Sequence, residues 1–176
     1  MINMKNKVKI LGLLVAGFMT IATFTNVAGQ ARAKAEKATR EWRYELECVS
    51  TGADGSYLIK VWSYSKKPAV ALEQVKKNAV HGIVFKGFNG GGQGCVTQRP
   101  LTNNPALEQE RADYFDDFFD DGGKFMKFVS SSGDGTPEVQ KVGKEFKVGV
   151  VVSVLKDQLR KDLEAAGIIK GLSSGF

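Results

Sequence analysis

The chain predicts an α+β domain, with an antiparallel sheet carrying two or three helices packed on one face. Three observations point there. Two β-patterned runs flank a glycine-containing turn near residue 52, and a Val-rich alternating run lies near the C-terminus. Amphipathic stretches with helical spacing stand between or after these runs, and hairpins joined by single helices form antiparallel rather than parallel sheets.

The order begins with a leader. Lys5, Lys7 and Lys9 precede a run from Ile10 to Ala28 that has no charged residue. A positive start, an apolar middle and a small-residue exit make a secretory signal peptide, so residues 1–29 are expected to be removed. Val27-Ala28-Gly29 puts small or apolar residues before a cut between Gly29 and Gln30, and Gly29-Gln30-Ala31 is the next best site. The rival is a membrane anchor, which takes about 20 apolar residues. Thr20, Thr23, Thr25 and Asn26 weaken the second half of the run for that purpose. A lipid-anchored precursor needs a Cys at its cut, whereas the first Cys is Cys48. After cleavage the chain is not expected to be an integral membrane protein.

Removing the leader changes the charge. The chain carries 25 basic and 19 acidic side chains, and three of the basic ones are leader lysines. The remainder is +3, without the concentrated basic field of a nucleic-acid partner. Both cysteines, Cys48 and Cys95, lie beyond the leader. An even count in an exported chain favours one disulfide over two buried thiols. Such a loop closure stabilises by about 3–4 kcal/mol on the chain-entropy model. Two Cys and the single His81 do not supply a zinc site, and no Cys-x-x-Cys motif is present.

Residues 30–40, rich in Ala and Lys, are expected to form a tether or short frayed helix before a single domain spanning 41–170, with 171–176 as a tail. Trp42, Tyr44, Leu46 and Cys48 alternate with charged residues, and after an Asp54-Gly55 turn the run SYLIKVWSYSK completes a hairpin. Pro68 suits a first helical turn, and Ala71, Leu72, Val75, Ala79 and Ile83 recur at helical spacing. Residues 80–88 turn more apolar and are read as running into a strand. The glycines from Gly87 to Gly94 make a loop. Asn103 or Asn104 caps a second helix, whose greasy side is Leu107, Tyr114, Phe115, Phe118 and Phe119. KFMKFVSSS reads as a strand, and residues 142–154 as the clearest strand in the chain. A last helix puts Leu155, Leu159, Leu163 and Ala166 on one stripe, with Gly167 as its stop.

No catalytic constellation appears. G-x-S-x-G and H-E-x-x-H are absent. His81 reads as a capping or packed residue rather than a general base. Asp113, Asp116, Asp117, Asp120 and Asp121 could gather calcium, but they lack EF-hand spacing and read first as a solvated helix face. Gly90, Gly91 and Gly92 do not lead into a helix, as a phosphate loop would, and read as a flexible loop with Arg99 and Lys86 the nearby cations. Trp62 and Tyr64 are the candidate exposed aromatics for a protein partner or a sugar.

A hairpin, the Ala/Val-rich stretch from Ala69 to Ile83, and a Val-rich strand followed by a helix resemble small exported envelope domains. The N-terminal domain of the flagellar accessory protein FlgT and related exported lipoproteins are the family in view. The resemblance covers about half of the chain as pattern and order; the lipid-bearing Cys is missing and the acidic helix with its Phe-Phe pairs is extra. It implies a periplasmic assembly or scaffold role with no catalytic residues. The expected function is therefore a non-catalytic exported envelope component, periplasmic or surface-associated, that binds other envelope proteins. No cofactor, metal or nucleic acid is expected. The alternative is a small-ligand or glycan-binding module using Trp62, Tyr64, Gly90, Gly91, Gly92 and Arg99.

Overall fold

The computed structural model describes residues 30, 33, 34, 37, 41–52, 55–91, 94–132 and 136–171. The expected leader 1–29, with Gly29 of its cleavage site, lies outside them, as do Gly92 and residues 172–176. Gln30 and the described positions after it, up to residue 37, are helical and exposed.

The domain is α+β, as its patterning predicts. Strands β1 (Tyr44–Thr51) and β2 (Tyr57–Ser65) form the expected hairpin, paired antiparallel with Leu46 opposite Val61. Helix α1 (Pro68–Phe85) follows, starting at Pro68, whose absent N–H is not missed in a first turn. Two short helices, α2 (Leu107–Glu110) and α3 (Ala112–Phe118), then a 3₁₀ segment (Lys124–Phe128), lead to β3 (Val129–Ser131). Strands β4 (Glu138–Val142) and β5 (Glu145–Val154) make a second hairpin, and α4 (Lys156–Ala165) ends the domain. The five strands order as β1-β2-β5, after which β3 and β4 both pair with β5 at different heights.

Four sequence readings are corrected. Residues 80–85 continue α1 instead of starting a strand, and only Phe88 makes a bridge, to Gln98. This helix is buried on most sides, so its Val and Ile residues produce an apolar run that a strand would also give. The second helix breaks at Arg111 (φ −121°, ψ 38°). KFMKF winds into 3₁₀ geometry, which brings Phe125 and Phe128, three apart, into the core together. The last strand is two strands, because Gly143 and Lys144 turn the chain between Val142 and Glu145.

One sheet face carries the core. Ile59, Val61, Val148, Val150, Val152 and Val154 alternate inward and meet Val75, Ala79, Val80 and Ile83 of α1, with Leu159 and Leu163 of α4. Each fully buried Leu or Ile contributes about 1.5–3 kcal/mol. Gly82 permits close approach of helix and sheet: a Cβ there would lie 3.1 Å from both Leu46 Cγ and Tyr44 Cε2. One polar pair enters this layer, Asn78 Nδ2 donating to Ser63 Oγ at 2.8 Å.

Candidate functional site

Period-two alternation sends the other half of the strand residues to the opposite sheet face. Among the described residues no helix packs over the middle of that face. By register, Glu45, Trp62, Gly149 and Glu138 form one row across four strands. Tyr64, Lys147 and Gln140 form the next row, and Glu47, Lys60 and Val151 the row on the other side.

Trp62 is the centre. It is only 4% exposed although it stands outside the hydrophobic core. Its six-membered ring lies on Gly149, where a Cβ would meet three ring carbons at 2.5–2.8 Å. The Lys60 and Lys147 ammonium groups cover it, 4.4 and 4.8 Å from the ring centroid. A cation over an aromatic face contributes about 0.5–2 kcal/mol according to its desolvation. The indole Nε1 is buried without a hydrogen-bond partner among the described residues.

An ion-pair lattice surrounds the ring. Lys147 Nζ meets Glu45 at 2.6 Å, and Tyr64 donates its hydroxyl to the same carboxylate at 2.5 Å. Arg43 grips Glu145 with two nitrogens, at 3.0 and 2.6 Å, and Lys60 pairs with Glu138. Hydrogen bonds from Lys147 and Tyr64 hold the Glu45 carboxyl below its ordinary 4.5, and the Lys60 and Arg43 hydrogen bonds do the same for Glu138 and Glu145. Lys147 is raised in turn by Glu45. These exposed pairs each add little to stability, so their main effect is to fix a pattern of charge over the Trp62 ring. At the Tyr64 end a cavity of about 420 Å³ opens, lined by Lys34, Glu41, Arg43, Lys66 and Lys67 among others.

The other candidate residues lie elsewhere. Cys48 and Cys95 are joined, with Cα atoms 5.9 Å apart. The bond sits on the helix-bearing side of β1 and ties down the loop, where Thr51 N donates to Gly94 O at 2.8 Å. Gly90 N is held by Thr97 Oγ1 at 2.9 Å; Gly91 and Arg99 are exposed. Cys48 pairs with Ile59 in register, five residues from Tyr64, or about 17 Å along β2. The glycine loop and the pair Trp62 and Tyr64 are thus apart and on different faces.

Asp113, Asp116, Asp117 and Asp120 are exposed, and Asp121 pairs with Lys77 at 3.0 Å. Among the described residues no group of three His, Cys, Asp or Glu side chains is placed to hold a metal ion. Nor is any helix there long and apolar enough to cross a membrane.

Sequence reasoning gave His81 no partners, and the fold supplies them. The ring is 3% exposed on α1, with Nδ1 2.5 Å from Tyr44 Oη and Nε2 3.2 Å from Glu108 Oε2. Trp42 stacks on it at 3.5 Å and 18°. Burial lowers the His81 pKa and, with help from Glu108, raises that of Tyr44. The signal available in sequence was faint: an aromatic pair, Trp42 and Tyr44, at the start of a β-patterned run preceding a helix with one histidine.

These features define an α+β domain with one helix-covered sheet face, one charged face over whose middle no helix packs among the described residues, and a disulfide-anchored loop. No family model, curated protein or solved structure matches the chain.

Proposed function

We propose that the protein is an exported, non-catalytic envelope component that binds another envelope protein through the uncovered sheet face. The carrying observation is that face: a buried Trp62 under two lysines, set in rows of fixed carboxylates and cations, with no helix above its centre among the described residues. Its lattice of charge suits a partner that presents a complementary polar surface, because opposed charge patterns select register and reject wrong partners. The Cys48–Cys95 bond supports a location in an oxidising compartment such as the periplasm or cell surface. The resemblance in element order to exported envelope domains supports the same reading. A glycan module is less well supported, because Trp62 offers little open ring for stacking and the glycine loop is remote from it.

Two measurements test the reading. Mass spectrometry of natively produced protein should find a chain starting at Gln30; one starting at Met1 in the cytosol would refute export. Charge reversal of Lys60 and Lys147 to Glu should abolish recovery of the envelope partner while the circular dichroism spectrum is retained; unchanged recovery would refute the role of the face.

A further inference from the structure

A separate cluster, independent of the sheet face, joins the domain's entry to its only histidine. Trp42 has φ of +44°, a backbone region that a bulky residue rarely adopts. It is outside β1, which begins at Tyr44. Its ring covers His81, and its carbonyl accepts from Lys86 Nζ at 3.1 Å. A strained backbone is held here by the stacking on His81, an edge contact with the Phe119 ring at 5.3 Å and the Lys86 hydrogen bond.

The proton arrangement at His81 follows from its partners. An ionised Glu108 can only accept, so Nε2 carries the hydrogen and Nδ1 accepts from the Tyr44 hydroxyl. Uptake of a proton from water puts a hydrogen on Nδ1 as well. Tyr44, itself 7% exposed, then loses its acceptor, and a buried polar group without a partner is costly.

Every charged or titratable group placed around the ring among the described residues enters the balance. Tyr44 faces it from β1 and Glu108 from α2, while Lys77 shares α1 with it and Lys86 caps that helix. Lys77 is engaged by Asp121 after α3, from where Phe119 contributes only an apolar ring, 5.8 Å away. Glu108 and the Trp42 face favour an imidazolium in place; Lys86, above the Tyr44 ring at 3.8 Å, and the burial oppose it. Lifting Trp42 hydrates the charge and relieves the strained backbone at one stroke. No strand pairing or helix has to break.

We propose that Trp42, Tyr44 and His81 form an acid-released latch, in which proton uptake by His81 frees the Trp42 ring. The closed form predominates above the ordinary histidine value of 6.5, and opening grows as pH falls towards the lowered value in the closed form.

His81 is the single histidine, so its imidazole resonances are unambiguous in the intact protein. Titration by NMR should give a midpoint below 6.5, with the Trp42 indole signal moving at the same midpoint. Amide protection at Trp42 and Arg43 should fall by up to about tenfold per pH unit within that window. His81→Gln should remove the step. Should that variant not fold, Trp42→Leu serves instead, and it should raise the His81 midpoint towards 6.5 by admitting water. The latch is refuted by a Trp42 signal that stays fixed while His81 titrates, by a step that persists in His81→Gln, or by a midpoint that Trp42→Leu leaves unchanged.

Discussion

Gly149→Ala tests how Trp62 is seated. Two effects of opposite sign compete. Glycine in a strand interior is unfavourable, and replacing it by alanine gains about 0.5–1 kcal/mol where space allows. Here the new methyl would stand 2.5–2.8 Å from three atoms of the Trp62 ring, below any ordinary carbon contact. The ring is rigid, 4% exposed and covered by Lys60 and Lys147, so it must tilt and displace both ammonium groups. Overpacking of this kind costs about 1–3 kcal/mol. The net is a loss of about 0.5–2 kcal/mol, read as a lower urea midpoint at unchanged slope. In a Trp62→Leu background the clash is gone and the sign should reverse. A double-mutant cycle should therefore return a coupling of about 1–3 kcal/mol. Equal effects of Gly149→Ala in both backgrounds would refute the seating of the ring.

The other predictions concern the staple, the core and the charges. Replacing Cys48 and Cys95 by serine should cost about 2–5 kcal/mol in a denaturant melt, and should raise amide exchange in the loop holding Gly90 and Gly94. Leu163→Ala, at a position with no exposure, should lose about 2–5 kcal/mol; a loss under 1 would contradict its place in the core. Glu45, Glu138 and Glu145 have lowered pKa values, so their stabilising contribution is complete above 4.5 and fades as pH falls through those lowered values. Glu45→Gln with Glu145→Gln should flatten that acid decline; a curve of unchanged shape would show that the pairs are not the source.

Legibility from sequence tracked the locality of the signal. The first hairpin showed itself through alternation in its first strand, the Asp54-Gly55 turn and the β-branched and aromatic content of its second, and α4 through the spacing of Leu159 and Leu163 with Gly167 beyond them. The strand expected over residues 80–88 was misread because α1 is buried from Val70 to Val84 on more than one side, which erases the polar stripe that marks a helix. The turn at Gly143 was hidden because Val142 continues the valine alternation of β5 into β4. The His81 cluster depends on Tyr44 and Glu108, 37 and 27 residues away, and no local pattern encodes such a meeting. Burial of Trp62 likewise comes from Gly149 on a strand far along the chain, so an aromatic that reads as exposed is in fact covered.

The claim that one sheet face does the binding is tested most directly by photo-cross-linking in cells. A reactive amino acid at Gln140 or Leu58, on the uncovered face, is compared with one at Leu72, exposed on α1. The account predicts one discrete adduct with an envelope protein from Gln140 and Leu58, and none from Leu72. An adduct from Leu72 alone, or no adduct from either sheet position, would contradict it.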